Sequence, residues 1–157
     1  MFKKKKADNN IYAPVDGNSI ALENVPDKVF ASKMLGDGIA FTFEGNKICA
    51  PCHGTITTIA DTKHAFGIKM ENGMEVLVHV GLDTVNLKGQ GFKKLKGVND
   101  KVNPGDVILE LDLDLMKEHE INLTTPLIIA NDNGCEYKIT EPKENVKAGC
   151  DQVIVVS

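Results

Sequence analysis

The chain has 157 residues, a net charge of −4 and 25% charged side chains, enough length to bury roughly two-thirds of its unfolded surface without a disulfide or metal staple. Mean hydropathy is −0.14 and no apolar run approaches the ~20 residues of a membrane-spanning helix, so a soluble protein is expected. The acidic balance and the scattered lysines exclude nucleic acid as the main partner, because phosphate neutralisation needs a basic stripe.

The N-terminus reads Met1-Phe2-Lys3-Lys4-Lys5-Lys6. No apolar segment follows the lysines, which argues against a secretory signal and points to the cytoplasm. Residues 1–9 read as a flexible, solvated basic tail ahead of a single domain over 10–157. Ile11-Tyr12-Ala13-Pro14-Val15-Asp16-Gly17 and Ile48-Cys49-Ala50-Pro51-Cys52-His53-Gly54 share Ile-x-Ala-Pro-x-x-Gly. A fainter pair joins the charged Gly turn and β-branched run of 101–108 to that of 146–154. Irregular spacing rules out a solenoid and suggests one duplicated β unit.

Runs rich in Val, Ile, Thr and Phe, bounded by Gly, Pro, Asn and Asp, fall at 39–43, 47–50, 54–60, 65–70, 74–80, 107–111, 125–130, 135–139 and 152–156. This spacing predicts an all-β chain, an antiparallel sandwich or barrel with one or two short helices. The convincing helix is 112–119, capped by Asp112 or Asp114. The Gly- and Lys-rich stretch 86–106 has no periodicity and is expected to be a surface loop.

Asn72-Gly73 separates two apolar runs, and Asn-Gly supplies the two φ > 0 residues of a type I′ turn. That turn sets Phe66 opposite His79 and His64 opposite Gly81. His64, Phe66, Leu77 and His79 then share one face, with the two histidines diagonal at about 7 Å. Val76, Val78 and Val80 take the other face with Ala65 and Gly67, as a core stripe. Two facing imidazoles suit phosphoryl transfer, since a neutral imidazole is a good nucleophile near neutral pH. The second imidazole can donate to the phosphoryl oxygens, Thr62 can fix that ring, and a backbone carbonyl near Gly81 can anchor the nucleophile. No G-x-x-x-x-G-K-[ST] loop is present, so the donor is expected to be a phosphoprotein rather than ATP.

The segments Thr62-Lys63-His64-Ala65-Phe66 and Val78-His79-Val80-Gly81-Leu82-Asp83-Thr84 onward to Phe92 resemble the glucose-class IIA domain of the bacterial PEP-dependent sugar phosphotransferase system. So do Val25-Pro26-Asp27, Phe30, Leu35-Gly36-Asp37-Gly38 and Gly45-Asn46-Lys47, which extends the likeness over nearly the whole chain. The resemblance implies a monomeric IIA-type phosphocarrier that takes phosphate from the phosphocarrier protein HPr onto Nε2 of His79. It then passes the group to a cysteine of the IIB domain of a sugar permease, through which alone it meets the membrane. His64 is implied as the supporting imidazole, Thr62 as its partner, and Gly81 and Asp83 as rim. Val29, Phe30, Leu35, Leu77 and Val85 would line a shallow apolar docking face. No cofactor is required, although some members hold zinc between the two histidines and a partner's carboxylate. Ala60 and Val80 stand where better-known relatives carry aromatic residues.

Three other readings use the same residues. Cys49-Ala50-Pro51-Cys52-His53 matches the C-x-x-C-H haem pattern, but it coincides with the apolar repeat and is better read as buried thiols. A zinc hydrolase built on His64 and His79 lacks a third ligand. A biotin- or lipoyl-type carrier, suggested by Ile68-Lys69-Met70, would need its modified lysine at a hairpin tip, where Asn72-Gly73 stands instead.

Overall fold

A computed structural model describes residues 8–157; the expected role of Lys3–Lys6 as a basic tail lies outside those residues. Among the described residues thirteen strands form: β1 (Ile11–Tyr12), β2 (Gly17–Ala21), β3 (Gly38–Phe43), β4 (Lys47–Cys49), β5 (Gly54–Ile59), β6 (Ala65–Lys69), β7 (Glu75–His79), β8 (Phe92–Lys94), β9 (Lys101–Val102), β10 (Val107–Leu111), β11 (Thr125–Asn131), β12 (Tyr137–Ile139) and β13 (Gln152–Val156). Two short α-helices join them, α1 (Lys28–Ala31) and α2 (Leu113–Glu118), with single 3₁₀ turns at Leu22–Asn24 and Thr84–Leu87. A seven-stranded sheet runs β2-β3-β11-β7-β6-β5-β9, and two three-stranded sheets run β4-β10-β8 and β1-β13-β12. All pairings are antiparallel. The sheets pack as a sandwich and do not close into a barrel.

The faint internal repeat is a real structural unit. Tyr12 N–H donates to Pro51 O, and in the other copy Cys49 N–H donates to Pro14 O at 2.7 Å. Ala13 and Ala50 each accept from a Gly turn, Gly149 and Gly105, and each donates to the aspartate that follows, Asp151 and Asp106. The two Gly turns touch: a Cβ on Gly149 would lie 2.6 Å from Gly105 Cα. The two apolar repeat segments thus exchange hydrogen bonds and bury Ile11, Ala13, Ile48 and Ala50 completely.

The expected loop over 86–106 is in part structured, since it contributes β8 and the edge strand β9. Its lysines hide those strands from propensity reasoning. β2 is concealed in the same way by Gly17, Asn18 and Ser19. The helix at 112–119 forms as α2, with Asp112 as the cap accepting from Leu115 N–H at 3.2 Å.

The hairpin between β6 and β7 corrects the expected register. Met70 and Met74 close the turn, with Met70 N–H donating to Met74 O at 2.8 Å and Gly73 N–H to Met70 O at 3.0 Å. Three residues make the loop, Gly73 alone of the Asn-Gly pair has positive φ, and Asn72 Oδ1 accepts from Met74 N–H at 3.0 Å. Ala65 therefore pairs with His79 and Phe66 with Val78. A one-residue slip reverses every side chain: Phe66 joins Val76, Val78 and Val80 in the core, while Ala65 and Gly67 move to the face of Leu77 and His79. Burial selects this register, because it encloses Phe66 (0% exposed) together with Met70 and Met74. Phe66→Ala should accordingly cost about 3–5 kcal/mol in a denaturant melt; a loss under about 1 kcal/mol would return the ring to the histidine face.

Candidate active site

His79 ends β7, the inner strand between β11 and β6. Beyond it the chain turns at Gly81, whose φ of +76° suits a residue without a Cβ. The turn swings the Gly81 carbonyl back to His79 Nδ1 at 2.8 Å. A carbonyl can only accept, so Nδ1 carries the ring proton and Nε2 keeps its lone pair.

In the corrected register His64 lies opposite Val80, whose N–H donates to His64 O at 2.7 Å. Strict alternation would send His64 into the core beside Phe66. The strand begins only at Ala65, however, and Lys63 has a φ of +60°. Released from the pleat, the His64 ring sits edge-on to His79 with 4.9 Å between centroids. Thr62 Oγ1 lies 2.6 Å from His64 Nδ1. The two imidazoles meet, but by a strand end rather than by the diagonal of a type I′ hairpin.

On the other flank the Phe30 ring stands 4.9 Å from the His79 ring, tilted by 58°. Phe30 comes from α1, a single turn capped by Asp27, which accepts from Val29 N–H at 2.9 Å. Its ring is buried with Leu22, Val25, Ala40, Leu82 and Ile128. Burial between these rings lowers the His79 pKa from the ordinary 6.5, against the opposing pull of the Gly81 hydrogen bond and the carboxylates of Asp27 and Asp83. His64 is lowered too, first by burial and then by His79. Both rings are thus held neutral near pH 7, the form in which an imidazole attacks.

The five residues expected on the apolar face separate. Val29, Leu35 and Val85 are exposed, Leu77 is half-buried, and Phe30 is buried against His79. Among the described residues Met34, at 76% exposure, is the barest large apolar side chain, and a lone methionine between lysine and leucine carries no sequence pattern. Asp83 takes a left-handed conformation at the head of the 3₁₀ turn. Gly81, expected at the rim, supplies the carbonyl that holds His79.

The cysteine reading meets a closed core. Cys49 and Cys52 are both buried, and desolvation pushes the Cys52 thiol up to about 12. His53 is instead bonded through Nδ1 to Asn103 Oδ1 at 2.9 Å. Among the described residues no three His, Cys, Asp or Glu side chains gather as a metal-binding group, and no helix is long and apolar enough to cross a membrane.

A neutral histidine with one nitrogen anchored and the other bare, braced by a second imidazole on a rigid β-sandwich, defines a histidine-based group carrier. The model of the family described as phosphoenolpyruvate-dependent sugar phosphotransferase system, EIIA 1, matches residues 9–135. A Staphylococcus saprophyticus relative, the PTS system glucose-specific EIICBA component, is 43% identical over 141 residues. That match takes in 90% of this chain and 21% of the relative, so the chain spans about a fifth of its length. The solved structure of glucose permease IIA from Mycoplasma capricolum is 38% identical and superposes with a TM-score of 0.86, over 98% of this chain and 99% of that one. The chain belongs to the EIIA 1 family of the phosphoenolpyruvate-dependent sugar phosphotransferase system.

The lowered pKa values have a sign that can be tested. The folded state resists protonating His64 and His79, so the unfolded chain takes up protons first as pH falls below 6.5. Stability is full above that value and drains away as pH drops through the folded midpoints. In an NMR titration both rings should show midpoints below 6.5, and that of His64 should rise in His79→Ala; a wild-type His79 midpoint at or above 6.5 contradicts the burial argument.

Proposed function

We propose that this chain carries a phosphoryl group on Nε2 of His79, accepts it from phosphorylated HPr, and delivers it to a cysteine of the IIB domain of a glucose-class permease. The observation that carries this reading is the hydrogen bond from Nδ1 to the Gly81 carbonyl, which leaves Nε2 unprotonated and unblocked. The lone pair of Nε2 forms the new N–P bond while the donor's P–N bond breaks, and that electron pair returns to the donor imidazole. No base has to remove a proton before attack. In the second transfer the cysteine thiolate forms an S–P bond and the electron pair comes back to Nε2.

His64 stabilises the group in flight. We assign the Thr62 hydroxyl as the donor to His64 Nδ1, which puts the His64 proton on Nε2, available to the phosphoryl oxygens as a fixed donor, the kind of contact that lowers a charged barrier most in a partly desolvated site. Val29, Met34, Leu35 and Val85 are exposed apolar side chains, of the kind suited to brief docking of two successive partners. The glucose-specific EIICBA relative, in which parts named IIA, IIB and IIC share one chain, supports the IIB partner and the sugar class. The setting is cytoplasmic and the carrier acts as a monomer.

Zinc fits only half of this site. Two imidazole nitrogens are ordinary zinc ligands, but among the described residues nothing completes a set of three; a closed site would draw its remaining donors from a docked protein. Zinc plays no part in the transfer steps above.

Incubation with a phosphorylated histidine donor should label the protein with an acid-labile, base-stable phosphate. His79→Ala should abolish labelling. His64→Ala should still accept the group yet pass it on about 10²-fold more slowly. Labelling that survives in His79→Ala sinks the assignment.

A further inference from the structure

The N–H and C=O groups of Val80 and Gly81 are all engaged, and two of their partners are side chains outside the histidine pair. The Val80 carbonyl accepts from the Thr84 hydroxyl at 2.6 Å. Gly81 N–H donates to Thr125 Oγ1 at 3.3 Å, and that hydroxyl gives its own proton to the Leu123 carbonyl at 2.9 Å. These two contacts grip the Val80–Gly81 peptide from both ends. The next peptide is held at Leu82 N–H, which donates to Asn122 O at 2.9 Å. The group left over is the Gly81 carbonyl, turned to His79 Nδ1.

Both threonines are fully buried. A buried hydroxyl is costly unless bonded, and valine has the same shape without that demand. Packing alone therefore does not call for threonine at either position, whereas holding a peptide plane does. The need is greatest at a glycine, whose backbone is the freest to rotate. Thr84 also closes the space over Gly81: a Cβ there would lie 2.6 Å from Thr84 Cγ2. The register between β11 and β7, in which Leu127 faces Val78, brings Thr125 opposite Val80 when extended two pairs further along.

We propose that Thr84 and Thr125 are positioning residues for His79, which hold the Val80–Gly81 peptide so that the Gly81 carbonyl stays under Nδ1, the ring proton stays on Nδ1 and Nε2 stays open. This rests on the reading of His79 as the phosphoryl acceptor. Neither threonine touches the transferring group; they fix the peptide before Gly81 as the Asn122 carbonyl fixes the one after it, and the two together set where the Gly81 carbonyl meets the nucleophile's ring.

The test is ¹⁵N NMR of the His79 ring in the whole chain, paired with the rate of phosphoryl acceptance from a phosphorylated histidine donor. Thr84→Val and Thr125→Val remove only the hydroxyls, and Thr84→Ser and Thr125→Ser keep them. In wild type the ring should be a single Nδ1–H tautomer. Each valine variant should show a mixture with the Nε2–H form and accept phosphate about tenfold more slowly, and the serine variants should return both readings to wild type. A merely structural role would lower the melting temperature without moving the tautomer of the folded molecules. Unchanged His79 nitrogen shifts in either valine variant overturn the role of that threonine, and a wild-type ring protonated on Nε2 overturns the whole proposal without any variant. The ring shifts are read with no donor present, so labelling that persists in His79→Ala would overturn the acceptor assignment and leave this result standing on its own.

Discussion

One hydrogen bond, from His79 Nδ1 to the carbonyl two residues further along the same chain, sets what the site can do. An imidazole has two nitrogens and, when neutral, one proton between them. Whichever nitrogen holds the proton is no longer a nucleophile. A backbone carbonyl is a suitable anchor because it cannot donate and so permits a single answer. The fold is arranged to bring that carbonyl to the ring: β7 stops at His79, the chain reverses at a glycine with positive φ, and β11 and β6 hold the strand from either side.

Protonation state is settled by a second, opposing constraint. A nucleophilic histidine must be neutral, which burial favours, yet open enough to reach a partner, which burial prevents. The compromise lies in what surrounds the ring. Phe30 and His64 pack against it, while the His79 side chain itself stays half-buried rather than enclosed. The segment bearing Phe30 is short, and its ion pairs from Lys33 to Glu23 at 2.7 Å and to Asp37 at 3.4 Å are exposed. Exposed pairs contribute little, so the packing of Phe30 against Leu22, Val25, Leu82 and Ile128 does more to hold the segment. Asp27 and Asp83 pull the pKa back towards its ordinary value, which keeps burial from driving the imidazole far down.

Strand order along the chain was legible because β-branched runs between turn residues are a direct consequence of pleated packing, and all nine runs read from sequence hold a strand. Strands made of Gly, Asn, Ser or Lys were not, since their pairing is dictated by neighbours rather than by their own preferences. Asn72-Gly73 marked the right hairpin and the wrong turn. Asn-Gly permits a two-residue loop but does not enforce one, and here burying Phe66, Met70 and Met74 outweighed the local preference. The pairing of His64 with His79 survived that error because the His64 backbone leaves the pleat at Lys63, a kink with no signature in residue type. Thr84 and Thr125 were invisible for another reason: a threonine in a β-rich chain reads as an ordinary strand former, and only the structure shows its hydroxyl spent on a particular peptide.

The anchoring bond also bears on reversibility, which a carrier needs as much as nucleophilicity. In the proposed transfer positive charge spreads over the ring as Nε2 attacks and the Nδ1 proton becomes more acidic, so its bond to the Gly81 carbonyl would strengthen as the N–P bond forms. Asp27 and Asp83, close enough to raise the His79 pKa, stabilise the same developing charge. Neither interaction requires the ring to turn, because the substituent goes on the nitrogen that was already free. The imidazole can therefore take and release the group in one orientation, with Nδ1 held to Gly81 throughout. A ring that had to exchange tautomers or rotate between the two steps would give up that shared geometry, and each transfer would have to restore it.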